Sequence, residues 1–488
     1  MVTRFWISQV RKAAFSHTLK LSSDFYSQKD LPEIIRIIHT ADSLSGVLDL
    51  SLLEFLPTLA RLAAASFAIY VKFGAFIFCL AISGSIVYLW LDNHAFHNNL
   101  KKTEPERRCT DLELSRATNQ ALEKHIIVEL FNTITYHIGI YEHALDAHLE
   151  TESRWSQVAI YRSISLQRLQ RGLFFAISMI LTHRGTSAED IIFLTLYWPT
   201  IAGHLSRLPS QYTRLHLKFT DLKCLLAHLD IKPTIKDGEN ACDIGPINGR
   251  ITFSDVSFRY LGQKKETLKN VCISIRPRTT VALVGRSGSG KSTLLELLLR
   301  RYDVNSGSIK IDSQDIRELT LDSLRKSIAF VPSKSQIFHN WSIWQNLTYG
   351  SFDVHFEAIT EVCCAVGIHD KISSSSKQYE SIVGRDLNFS DGEMQLLEIA
   401  RALIRKARIL VLDEPTSSLD ADTEAMIFEM LGKLNITIFM SANRLSSLKR
   451  VDEIIVLEQG VIKERGNHNE LMETHGGVYQ RLYSQWSE

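Results

Sequence analysis

Residues 52–91 form a nearly continuous apolar stretch, broken by Glu54, Pro57, Arg61 and Lys72. That length allows two crossings of about 20 residues each, with 72–74 as the tight turn between them. A buried hairpin in a soluble core is a poorer fit, because the stretch is Ala-rich and poor in charge. A second apolar pair lies at 166–182 and 191–208. Arg168 and Arg171 precede the apolar part of the first, and Pro199 and His204 interrupt the second. Helices that extend past a bilayer would hold those arginines in water or headgroups. The pattern predicts about four spans with long helical extensions, an even number that returns the chain to the side where it began. The intervening segment 101–162 carries Lys101, Lys102, Arg107 and Arg108, whereas the short turns are poorer in positive charge. That bias places both termini and the long loop in the cytosol.

From 231 to 250 the pattern dissolves into Pro233, Asp237, Gly238, Gly245, Pro246 and Gly249, which reads as a linker. Residues 251–488 alternate short apolar strands with helical stretches, as an α/β domain does. The expected organisation is a helical membrane domain over 1–230, the linker, and an α/β phosphate-loop domain over 251–488.

Composition changes this picture little. The chain has 488 residues and a formal net charge of +1, with no basic excess pointing to nucleic acid. Its seven cysteines include no C-x-x-C pair, so neither a zinc site nor a disulfide framework is implied. Residues 1–15 carry Arg4, Arg11 and Lys12 and no acid. A mitochondrial presequence has that look, but an amphipathic helix start is the preferred reading. His94 and His97 sit just past a span, and His143 and His148 lie in the long loop. Without Cys or carboxylate clustering they read as solvated loop histidines.

The chemistry concentrates in the second half. Gly285, Arg286, Ser287, Gly288, Ser289, Gly290, Lys291, Ser292 and Thr293 fit G-x-x-x-x-G-K-[ST] directly after the apolar run Val281-Ala-Leu-Val284. Glycines let such a loop curl so that its N–H groups face phosphate oxygens, and the following helix start adds to the pull. Lys291 is expected to reach the β- and γ-phosphates of a nucleoside triphosphate, and Ser292 to offer its hydroxyl to Mg²⁺. A chance glycine turn would lack the strand before and the helix after. Ile409-Leu-Val-Leu-Asp413-Glu414-Pro415 is an apolar strand ending in two acids. Asp413 is placed to hold Mg²⁺ and Glu414 to polarise an attacking water. Asp420 follows closely.

With these residues the second half resembles the ATP-binding cassettes of ABC exporters. The resemblance extends upstream, where 21–25, 53–59 and Tyr197-Trp-Pro199 look like the membrane domain of heavy-metal-tolerance and mitochondrial-type half transporters. It implies ATP as the bound nucleotide and Tyr260 as the aromatic that stacks on adenine. It makes 285–293 the phosphate loop, Asp413 and Glu414 the magnesium-holding acid and the catalytic base, and Asp420 an acid that signals across a dimer. It also implies six membrane helices per half, so this chain is expected to start after the first two.

Three positions depart from the resemblance. After Val331-Pro332 stands Ser333 where the family has a glutamine, and Gln336 is off by one turn. The signature Leu-Ser-Gly-Gly, which touches the γ-phosphate held by the opposite subunit, reads Phe389-Ser390-Asp391-Gly392. A carboxylate about 4 Å from a phosphate charge at an effective dielectric near 20 is repelled by roughly 4 kcal/mol before relaxation. The switch histidine before Arg-Leu-Ser is Asn443, which can donate a hydrogen bond but cannot become a cation.

Two functions follow. One is a multi-pass membrane half transporter, a homodimer or a heterodimer with another half transporter. Its nucleotide domain is cytosolic, it sits in lipid of an internal (vacuolar or mitochondrial) membrane, and slow hydrolysis moves an undetermined small molecule or metal conjugate. The other is a non-transporting remnant that binds ATP as a regulatory or interaction protein. A soluble cassette ATPase is disfavoured by the apolar run at 52–91.

Overall fold

A computed structural model of the chain describes residues 2–351, 353–444 and 448–487; the side chains of His97, Lys101 and Lys102 and residues 445–447 lie outside the described part. The chain divides into two compact units. The first comprises Met1–Leu21 and Phe25–Lys232, the second Ser22–Asp24 and Pro233–Glu488.

The first unit is helical. Its long elements are Leu56–Glu123, Ile134–His183 and Ala188–Leu229. Gly74 interrupts the first of these with φ 78° and ψ 179°, so the apolar run is a hairpin of two arms. A glycine takes that left-handed φ without the penalty of a Cβ. Across the turn the Tyr70 and Phe78 rings stand 5.4 Å apart. Ile69 and Ile77 share one core with Ile177, Leu194 and Trp198. The second hairpin turns at Gly185, and the Ser187 hydroxyl caps the returning helix by accepting from the Asp190 N–H at 3.3 Å. Lys72 and Asp190, one from each turn, pair at 3.2 Å.

Among the described residues one stretch, Leu31–Val87, is long and apolar enough to cross a membrane. The expected second pair, at 166–182 and 191–208, is helical but falls short on that criterion. Arg168, Arg171, His204 and Arg207 dilute its apolar character. The one qualifying stretch runs through the Gly74 turn and so holds both arms of the first hairpin, and the second expected pair is present as long helices.

The second unit is built on two sheets. The smaller holds β1 (Ile251–Phe258), β2 (Leu268–Ile275), β4 (Ser306–Ile311) and β5 (Gln314–Asp315), in the order β2-β1-β4-β5 and antiparallel. The larger holds β3 (Thr280–Val284), β6 (Ile328–Val331), β7 (Ile409–Asp413), β8 (Thr437–Ser441), β9 (Glu453–Glu458) and β10 (Val461–Gly466). Its order is β10-β9-β3-β8-β7-β6, and only β10 runs antiparallel to its neighbour. Strands in a parallel sheet are covered on both faces, which is why β3, β7 and β8 read as unbroken apolar runs. Ala282 and Val284 face one core while Val281 and Leu283 face the other.

The order β3-β8-β7 positions the site. It sets the loops after β3 and β7 on one edge, with the end of β8 between them. Residues 233–250 contain no helix or extended strand, yet they are tied down. The Gly249 and Arg250 N–H groups donate to the Asp312 carboxylate at 3.1 and 2.8 Å, and Ile244 and Ile247 pack on the core.

Candidate nucleotide site

The loop after β3 curls through Gly285, Gly288 and Gly290, the last two with φ 77° and 107°. A Cβ at Gly290 would stand 2.7 Å from Leu268 Cδ2, and one at Gly285 would overlap the Leu457 carbonyl. The backbone lies so close to its neighbours that glycine is required there. Lys291 opens the helix Lys291–Leu298, and its Nζ donates to the carbonyls of Gly285 at 2.7 Å and Arg286 at 3.3 Å. Burial lowers its pKa below the ordinary lysine value, while the charges of Glu414 and Asp413 pull the other way. The ammonium is thus stored inside the loop beside a helix N-terminus, an arrangement suited to an anion with several oxygens.

Asp413 closes β7. Its Oδ1 accepts from the Ser292 hydroxyl at 3.2 Å and from the Ser441 hydroxyl at 2.7 Å. A carboxylate and a hydroxyl meeting beside a phosphate-binding loop are hard oxygen donors, so the residues fit Mg²⁺. Among the described residues no group of three or more His, Cys, Asp or Glu could hold a metal on its own. Magnesium commonly leaves part of its shell to substrate phosphates and water, so the sparse set suits that ion.

Glu414 takes φ 48°, unusual for a non-glycine residue. Its N–H donates to Ser441 Oγ at 2.9 Å, its carbonyl accepts from Gln395 Nε2 at 3.3 Å, and its Oε1 accepts from Asn443 Nδ2. The strained residue is held from three sides, the condition under which such a conformation persists.

A cleft of about 840 Å³ gathers Tyr260, the loop residues 287–293, Glu414 and Asn443. The Tyr260 hydroxyl donates to Glu296 Oε2 at 2.9 Å and lies 3.0 Å from Thr293 Oγ1. Burial raises its pKa, and its ring stands edge-on to Phe258 and Tyr302.

Ser390, Asp391, Gly392 and Asp420 do not line this cleft. Ser390 caps the helix Asp391–Ile404 in a reciprocal box with Glu393, which also pairs with Lys371 at 2.5 Å. A Cβ on Gly392 would stand 2.8 Å from the Ser418 carbonyl. Asp391 is exposed in the first turn. Asp420 caps Ala421–Gly432, accepting from the Thr423 N–H at 3.0 Å. In the loop after β6, which carries Ser333, the Gln336 N–H donates to the buried Glu398 at 2.5 Å. Ser441 and Gln395 escaped the sequence reading. The one available signal was a serine closing an otherwise apolar strand, Thr437-Ile-Phe-Met-Ser441.

Comparison with known proteins matches residues 268–417 to the ABC transporter family model. The heavy metal tolerance protein of Schizosaccharomyces pombe is 32% identical over 497 residues, covering 99% of this chain and 59% of that protein. The mitochondrial iron-sulfur clusters transporter ATM1 of Chaetomium globosum is 31% identical over 497 residues, covering 98% of this chain and 80% of that one. The structure of a bacterial Atm1-family ABC exporter with ATP bound aligns with a TM-score of 0.90 and 26% identity, over 100% of this chain and 86% of the other. The chain spans 60% and 59% of the length of two of its fungal relatives.

Proposed function

Since the chain belongs to the Atm1-type family of ABC half transporters, we propose that it binds ATP with Mg²⁺ and couples binding and slow hydrolysis to movement of a small molecule or metal conjugate across a membrane. The observation that carries this reading is the cleft lined by Lys291, Ser292 and the Glu414–Asn443 pair, with Asp413 hydrogen-bonded to Ser292 behind it. In this reading residues 1–230 are a membrane domain, 231–250 a connecting segment and 251–488 the nucleotide domain, lying in the cytosol.

Gly285, Arg286, Ser287, Gly288, Ser289 and Gly290 offer backbone N–H groups to the phosphates, and Lys291 turns from the loop carbonyls to the β- and γ-oxygens. Thr293 sits where its hydroxyl can leave Tyr260 for a phosphate oxygen, and the Tyr260 ring, which lines the same cleft, would meet the adenine. Ser292 and Asp413 would hold Mg²⁺, which when bound neutralises phosphate charge. Glu414 accepts the proton of the attacking water, and Asn443 holds that carboxylate in place.

Two half transporters complete two sites, each facing the partner's Ser390, Asp391 and Gly392, with Asp420 at the same boundary. The homodimer or heterodimer would sit in an internal membrane. Relatives whose names concern heavy metals and iron-sulfur clusters support a metal or metal conjugate as the substrate class. Asp391 brings a negative charge toward the γ-phosphate, and Asn443 supplies a donor without a proton to exchange, so turnover should be slow. An ATPase assay on the full chain in lipid tests this. Turnover matching a homologue with intact signature and switch residues would refute slow hydrolysis. Absence of ATP binding would refute the whole reading.

A further inference from the structure

Ser441 is fully buried at the carboxyl end of β8, and register sets it directly across from Asp413 of the neighbouring parallel strand. Facing residues of adjacent strands project to the same side of a sheet, so the serine hydroxyl lies against the carboxylate. Its hydroxyl donates a hydrogen bond to Asp413 Oδ1 at 2.7 Å and accepts one from the Glu414 N–H at 2.9 Å. One hydroxyl thereby joins the two acids at the chain's proposed metal and hydrolysis positions. Ser292 addresses the same Asp413 oxygen from the loop side at 3.2 Å, and its own hydroxyl is the proposed metal ligand. Ser441 has no such second duty, and at 0% exposure no water can stand in for it. Removing it leaves the half-buried Glu414 N–H without its hydroxyl partner and takes from Asp413 the shorter of its two hydroxyl donors, at the point where Glu414 is held at φ 48°.

We propose that Ser441 is a positioning residue of the nucleotide site, whose hydroxyl orients Asp413 toward the metal and fixes the Glu414 backbone in register with it. The inference rests on the reading of the cleft as an ATP–Mg²⁺ site, and it concerns a residue that touches neither nucleotide nor metal.

The test uses the full chain in detergent, with Mn²⁺ as the spectroscopic probe in place of Mg²⁺. Paramagnetic resonance titrations measure Mn²⁺ affinity at saturating ATP, and a separate titration in chelator measures metal-free ATP binding. Ser441→Ala should weaken Mn²⁺ binding about tenfold, the lower end for loss of a group that orients a metal ligand. Metal-free ATP binding should stay at the wild-type level, and kcat should fall more than KM rises. Ser441→Thr, which keeps the hydroxyl, should recover Mn²⁺ affinity. Wild-type Mn²⁺ affinity in Ser441→Ala overturns the proposal and leaves the ATP site standing. Equal loss in the alanine and threonine variants, or loss of metal-free ATP binding in Ser441→Ala, also overturns it by making the serine a general structural support. A wild-type chain that binds no ATP removes both readings.

Discussion

At the scale of single residues, Asn443 and Asp391 are the positions at which the proposed hydrolysis can be tested. The Asn443 amide donates to Glu414 Oε1, so the position beside the proposed base holds a donor that does not ionise. Rate against pH should show no inflection from this residue near neutrality. Asn443→His places a group of ordinary pKa about 6.5 there. The variant should turn over faster and acquire an added inflection between about pH 5.5 and 8, read from kcat across buffers of constant ionic strength. Asp391 is exposed in the first turn of its helix, where the helix dipole accepts its charge but an incoming phosphate does not. With a repulsion of roughly 4 kcal/mol before relaxation, Asp391→Gly should raise kcat at least about tenfold in steady-state ATPase measurements. An unchanged rate would show that the side chain swings clear. Sequence showed both substitutions, but not that Asn443 reaches Glu414, because that contact joins residues 29 positions apart.

Helices and strands supply the next level. Asp420 caps Ala421–Gly432, and the N–H of Thr423, followed by its hydroxyl, holds the Asp420 carboxyl below the usual carboxylate range. A depressed carboxylate contributes stability that is present above its unfolded pKa and lost as pH falls through its folded one. Asp420→Asn should therefore lower stability above about pH 4, where the charge contributes, and converge with the parent below it, so that the acid side of the stability curve flattens, as thermal melts across pH would report. Strand β7 is wholly buried up to Asp413, with Leu412 at 0% exposure. Leu412→Ala should cost about 2–5 kcal/mol and lower the unfolding temperature of the second unit. In the first unit, the glycine expected to turn the apolar run does so through a positive φ. The expected second membrane pair formed as helices but kept its arginines. Periodicity and length report helicity well, whereas spanning depends on what surrounds each charge.

For the whole molecule the sharpest prediction concerns pairing. In a homodimer each nucleotide site would meet Asp391 from one chain and Asn443 from the other. Paired with a half transporter of intact signature and switch, each site would carry one departure. A purified one-to-one mixed dimer should hydrolyse ATP faster than the homodimer of this chain and slower than the homodimer of the intact partner. A rate no higher than that of this chain's homodimer would argue against complementation.

Local sequence determined the glycine loop, the acids ending β7, the linker's composition and the apolar hairpin. Each follows from short-range rules: close backbone approach, buried parallel strands, turn chemistry and chain length against bilayer thickness. Tertiary structure alone decided that β8 lies between β3 and β7. That order brings Ser441 against Asp413 and Asn443 against Glu414. Strand order and register arise from packing between distant segments, so they leave no local mark along the chain.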